Sequence, residues 1–242
     1  MYRHLNADRT ISTIETLNSR INERFPASGL SRVCGELHAV SKESKARSLH
    51  ISRPNIGLRL VVAVVVILGL LGLFYSISLL EVSTRPFTLG ELVQITEAGI
   101  NDVVLIGAAI LFLITVESRV KRARALEALH ELRSVAHVID MHQLTKDPGR
   151  YSQSMILTAS SPPSEMTAYE LTRYLDYCSE MLSLTGKVGA LYAQNFKDPV
   201  VLSAVNELES LTTGLSRKVW QKIMILHKLD ERGREGELLP GG

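Results

Sequence analysis

Aromatic residues make up only 5% of this 242-residue chain, and cysteine occurs twice, at Cys34 and Cys178. No basic run alternates with aromatics, so nothing supplies the stacking faces along a cationic groove that single-stranded nucleic acid requires, and no nucleic-acid partner is expected. Two cysteines in segments expected to lie in the cytosol read as reduced structural thiols rather than a disulfide or a metal pair. Gly-rich phosphate loops, Gly-x-Ser-x-Gly elbows and Cys-x-x-Cys pairs are all missing. The nearest approach to a metal motif is Glu127-x-x-His130, with His137, Asp140 and His142 downstream. It lacks the second Glu-x-x-His unit that a di-iron site in a helical bundle requires, so exposed helical histidines are expected. Acid pairs such as Glu127 with Glu131, or Glu207 with Glu209, read as solvated faces, because no cleft is in view to shift their pKa values. The chain is expected to be non-enzymatic, with no catalytic residue, metal or cofactor.

What is present is sorted by position. Residues 1–59 carry ten Lys/Arg against five Asp/Glu, residues 60–116 one against four, and residues 117–242 sixteen against sixteen. A membrane topology partitions charge in this way. From Leu60 to Leu80 there are twenty-one residues without a charge, enough for a helix of roughly 31 Å, about the thickness of a hydrocarbon core. Some fifty residues with helical patterning precede it, unlike a cleaved signal peptide. The second apolar run, Val103 to Val116, has fourteen residues, or roughly 21 Å. Reading back through Ala98, Gly99 and Ile100 extends it to about 28 Å at the cost of including Asn101 and Asp102. A single span would place the long C-terminal part outside, against the basic cluster Arg119, Lys121, Arg122 and Arg124, so a hairpin is expected.

Lys and Arg number five in Lys42–Arg59, one in Glu81–Glu97 and five in Glu117–Arg133. Both basic flanks are therefore expected to stay inside, with Arg53, Arg59, Arg119, Lys121, Arg122 and Arg124 as juxtamembrane anchors. The expected fold is all-α: a transmembrane hairpin with spans at about 58–80 and 98–117 and an outer loop at 81–97, plus a cytosolic bundle of long antiparallel helices. The expected domains are an N-terminal cytosolic arm of amphipathic helices (1–56), the hairpin (57–118), the bundle (119–232) and a disordered tail (233–242). Thr88-x-x-Glu91 matches a capping box and marks a start for the second helix ahead of the membrane.

Between Gly107 and Pro148 there is no Gly or Pro, so the second span is expected to continue into the cytosol as one rod, with a seam of Leu129, Leu132, Ala136 and Ile139. Lys146-Asp147-Pro148 ends it, and Lys197-Asp198-Pro199 makes a second punctuation of the same kind. Between them a helix from about Glu165 to Asn195 carries Tyr174, Tyr177, Met181, Leu184, Val188 and Leu191 at alternating three and four spacing. The last helix continues with Val201, Val205, Leu208, Thr212, Leu215 and Val219. In the arm, Ile14, Leu17 and Ile21 and then Leu30, Val33 and Leu37 form two short seams across Pro26-Ala-Ser-Gly29. Helices so short need a partner face on the bundle, a second subunit or the membrane surface.

Two functions fit. The first is a membrane-anchored helical interaction, scaffold or signalling module that self-associates, its partners being the lipid bilayer, a second copy and an unidentified protein. The small row Ser179, Ser183, Gly186, Ala190 and Ala193 would allow close subunit approach. The second is an oligomeric pore-forming or membrane-perturbing effector; in layout the chain resembles the two-transmembrane effectors of bacterial defence systems. Polar residues in the spans are few: Tyr75, Ser76 and Ser78 in the first, Asn101, Asp102 and Thr115 in the second. That favours the module. Localisation is integral to a membrane, the plasma membrane or a bacterial inner membrane, with both termini cytoplasmic. Asp102 is the one acid inside a span; Tyr75, Asn101 or Ser76 is expected to offset its cost as an intramembrane polar contact.

Overall fold

A computed structural model describes residues 4–79, 88–151, 159 and 166–238. Helix is the only regular structure among them: α1 (Ala7–Arg24), α2 (Gly29–Ser52), α3 (Ile56–Leu79), α4 (Leu89–Leu144), a 3-10 turn (Pro148–Tyr151), α5 (Ala168–Asn195) and α6 (Pro199–Leu238). The protein is all-α. The tip of the expected outer loop, residues 80–87, and most of the connector 152–165 lie outside the described residues.

Helix starts follow local capping chemistry. The Asn6 side chain accepts from the Arg9 N–H to open α1, and the Ser28 hydroxyl accepts from the Ser31 N–H to open α2. Asp198 accepts from the N–H groups of Val200 and Val201, with Pro199 in the first position of α6. At α5 a full capping box forms: the Glu170 N–H donates to the Thr167 hydroxyl, and the Thr167 N–H donates back to the Glu170 carboxylate. That box sets the start at Ala168 rather than near Glu165. At the other end α6 continues through Leu238, into the stretch expected as a tail from 233. Glu, Arg and Leu there favour helix, and the next proline is Pro240. Lys146-Asp147-Pro148 ends α4 as expected, and a 3-10 turn begins at Pro148, with the Gly149 N–H donating to the Asp147 carboxylate.

The chain divides into two units, residues 1–52 with 124–242, and residues 53–123. The first is a five-helix bundle of α1, α2, α4 from Arg124 onward, α5 and α6. The arm expected over 1–56 and the bundle expected over 119–232 thus share one core: Ile14, Leu17, Ile21, Leu30 and Leu37 are buried with Leu132, Ile139 and Met181. Of the three partner faces open to the arm, the bundle is the one it takes. Arg20 holds Glu180 of α5 at 2.9 Å, and Phe25 sets its edge against Tyr174 and Tyr177 at 5.5 and 6.3 Å between ring centres.

Helix α5 is central, with fourteen buried residues over more than half of its circumference and Ser183, Lys187 and Gln194 exposed on the remaining side. One member of the small row on α5, Gly186, is buried against α6. A Cβ on Gly186 would lie 3.1 Å from the Thr212 hydroxyl of α6, and one on neighbouring Gly189 would lie 2.6 Å from Leu208 Cδ2. These glycines bring α5 and α6 together, while Ser183 of the row is exposed and Ser179, Ala190 and Ala193 are partly covered. Both cysteines are free and buried.

Candidate functional site in the apolar hairpin

The second unit contains α3 and the first part of α4, both long and apolar enough to cross a membrane. They run antiparallel. Near one end the Glu117 carboxylate accepts from the Asn55 backbone N–H at 3.1 Å, and further along Gly69 comes so close to Ile106 that a Cβ would lie 2.9 Å from Ile106 Cδ1. Glycine at 69 is what permits this approach.

Exposure divides each helix into a strip and a remainder. On α3 the partly covered residues are Leu58, Val62, Val66 and Gly69; on α4 they include Gly99, Asp102, Ile106, Ala109 and Leu113. Spacings of three and four place each set on one face, the face toward the other helix. Elsewhere the large apolar side chains are bare, among them Leu60, Leu68, Phe74, Val103, Leu105 and Phe112, each more than 60% exposed. No residue of the most apolar window in either helix is buried.

The charged end is built around Glu117. Lys121 reaches its carboxylate at 2.7 Å from one turn away, and Arg59 of α3 approaches at 3.8 Å. Asn55 also caps α3, its side chain accepting from the Leu58 N–H. A carboxylate at the first turn of α3 suits the positive end of that helix's dipole. Of the six basic anchors, Arg59 and Lys121 are thus drawn together by one acid, Arg53 and Arg119 are exposed, Arg122 is partly covered, and Arg124 belongs to the bundle unit. Sequence reasoning passed over Glu117. Its signal was available: a single acid at the start of a basic cluster, four residues before Lys121.

Asp102, Tyr75 and Asn101, expected to form an intramembrane polar contact, are not joined to one another by a hydrogen bond among the described residues. Asp102 lies on the α4 strip that faces α3, and the register set by Gly69 and Ile106 places it level with residues 73 and 74. Tyr75 is 65% exposed, Asn101 is exposed, and among the described residues no hydrogen bond joins either to Asp102. The side chain of Ser76 lies outside the described residues, as does that of Glu91 in the Thr88 capping pattern; Thr88 itself does precede the first residue of α4. Hydroxyls of the two apolar helices turn back on their own helices: Thr96 donates to the Leu92 carbonyl, Thr115 to Leu111 and Ser78 to Tyr75.

In the bundle, His130 and His137 are exposed, while His142 is half-buried with its Nδ1 3.4 Å from the Tyr174 hydroxyl. Among the described residues no three or more His, Cys, Asp or Glu side chains converge as a metal site would require. Burial pushes the Cys34 and Cys178 thiols up to about 12, far from the thiolate that nucleophilic or metal chemistry requires. In comparisons with known proteins, no family model, no curated protein and no solved structure matches this chain.

Proposed function

We propose that the chain is a two-pass membrane protein with both flanks of its hairpin in the cytosol, and that its five-helix bundle is a non-enzymatic, self-associating interaction module. The exposure of the hairpin's apolar side chains carries the reading. Ten large aliphatic or Phe side chains of α3, from Ile56 to Phe74, are exposed, and each forgoes about 1.5–3 kcal/mol in water relative to full burial. Lipid is the covering that suits two helices bare on all but one strip. The antiparallel pairing favours having both flanks on one side, and Arg53, Arg59, Arg119, Lys121 and Arg122 favour the cytosolic side. The hydroxyls of Thr115 and Ser78, bonded back onto carbonyls of their own helices, favour an anchor over a pore lining.

Self-association is assigned to the bundle's remaining bare apolar side chains. On α6 these include Trp220 and Met224, 59% and 50% exposed, with Val200, Leu202 and Ile225; on α4 they are Val138, Met141 and Leu144. A second copy is the partner read from these; another protein is the alternative. The test is topology. Single cysteines replace the exposed Ser19, Thr88 and Thr213, in intact cells treated with an impermeant thiol reagent; the buried native thiols stay silent. Only the Thr88 position is expected to react before permeabilisation. Reaction at position 213 in intact cells would end the two-pass topology, and recovery of the protein in the soluble fraction would end the membrane reading. A full-length protein monomeric in detergent, unchanged by Trp220→Ala, would end the self-association.

A further inference from the structure

The last two turns of α2 and the α4 segment from Arg124 to Glu131 line an open groove of about 920 Å³, wholly within the bundle unit. Its floor includes Ile51 and Ala128, 3% and 1% exposed. One end is closed by Arg47, which donates to Glu131 and to Glu43, both at 2.6 Å. Arg47 is therefore committed. The other charged or polar groups of the lining, Arg124, His50 and Glu127, are exposed and make no hydrogen bond or ion pair among the described residues.

A guanidinium and an imidazole open over an apolar floor suit a phosphodiester with an alkyl tail. The open carboxylate of Glu127 narrows the choice: a purely anionic headgroup would leave it facing like charge, whereas a primary amine would pair with it. The volume lies near the top of the about 300–1,000 Å³ range of small-molecule sites, room for a headgroup and the first carbons of its chains. Along the chain both walls lie close to the hairpin's sequence, Ile51 preceding Ile56 by five residues and Arg124 following Glu117 by seven.

We propose that this groove binds the headgroup of an amine-bearing zwitterionic phospholipid of the phosphatidylethanolamine class. Arg124 and His50 hold the phosphodiester and Glu127 the amine, while Ala46 and the aliphatic stem of Arg124, above the buried Ile51 and Ala128, meet the glycerol and first acyl carbons. The assignment rests on the membrane reading above and goes beyond it in naming the lipid and its site.

The test uses full-length protein, delipidated in detergent and reconstituted in nanodiscs holding phosphatidylethanolamine, phosphatidylcholine or phosphatidylglycerol, with retained lipid counted by native mass spectrometry. One phosphatidylethanolamine per chain is expected, retained over phosphatidylcholine, whose quaternary ammonium cannot donate a hydrogen bond. Arg124→Ala should weaken retention by about tenfold or more, the size of one lost charge-assisted hydrogen bond. Glu127→Gln should turn the preference toward phosphatidylglycerol. Both residues are exposed, and unchanged thermal melts would exclude a folding defect. Equal retention of the three lipids, or wild-type selectivity in Glu127→Gln, would overturn the proposal. Competition by soluble glycerophosphoethanolamine at equal affinity would overturn the lipid as the source. Membrane-integrated protein with correct topology but no headgroup preference removes the groove assignment alone; soluble protein removes both.

Discussion

Replacing Gly189 with Ala tests whether α4, α5 and α6 meet as closely as the structure requires. The added methyl would lie 2.6 Å from Leu208 Cδ2 and 3.5 Å from Leu129 Cδ2, where carbons in contact ordinarily sit about 3.5–4.0 Å apart. Leu208 and Leu129 are only 2% and 4% exposed, so neither can swing into solvent, and a shift of about 1 Å must come from the helices; overpacking of that kind costs about 1–3 kcal/mol. Against it stands the gain of about 0.8–1 kcal/mol from replacing a helical glycine by alanine. Gly214 in α6 provides the control, because a Cβ there meets nothing within 4 Å. Gly214→Ala should therefore stabilise by up to about 1 kcal/mol, while Gly189→Ala should fall between neutral and about 2 kcal/mol destabilising. The helix-propensity gain is common to both, so their difference isolates the packing. Urea unfolding of the full-length protein in detergent, followed by circular dichroism, reads it as a shift in midpoint at constant slope. Leu208→Ala should cost less in the Gly189→Ala background than alone, because the pair is coupled. If Gly189→Ala proved as stabilising as Gly214→Ala, the close three-helix approach would be refuted.

Burial first, then the charges of Lys146 and Arg32, hold His142 below its ordinary 6.5. The unfolded chain therefore takes the proton first as pH falls, so stability should decline as pH drops through 6.5 toward the depressed folded value and show no further loss from this group below it; His142→Gln should flatten that part of a midpoint-against-pH curve. The Cys34 and Cys178 thiols, pushed up to about 12 by burial, should resist maleimide at pH 7.5 in the native protein and react in urea; rapid native labelling would show that the core opens. Asp102→Leu, on the face toward α3, should improve membrane insertion by up to about 2.5–3.5 kcal/mol and leave the subunit count in detergent unchanged. A fall in that count would mean that the carboxylate contacts a second copy.

Features governed by neighbours in the chain were legible from the residues alone. Proline and a capping Asp at 198–199 restart a helix because a side-chain acceptor and a fixed φ act within one turn, and the capping box at Thr167, though passed over, is equally local. The length of the apolar runs and their flanking cations marked out α3 and the first part of α4 by the same logic, since those properties need no partner to be read. Periodicity showed that Ile14, Leu132 and Met181 each have a face to bury, but three and four spacing says nothing of which face meets which. Only the tertiary structure decided that the N-terminal helices join the bundle through Arg20, Phe25 and α5. It also turned Gly186 and Gly189 toward α6, made Glu117 the link between α3 and α4, and left Arg124, His50 and Glu127 open above an apolar floor. The reason is distance along the chain: caps and helix breaks are settled within a few residues, whereas these contacts join positions tens to more than a hundred residues apart, whose pairing depends on how all the seams pack together.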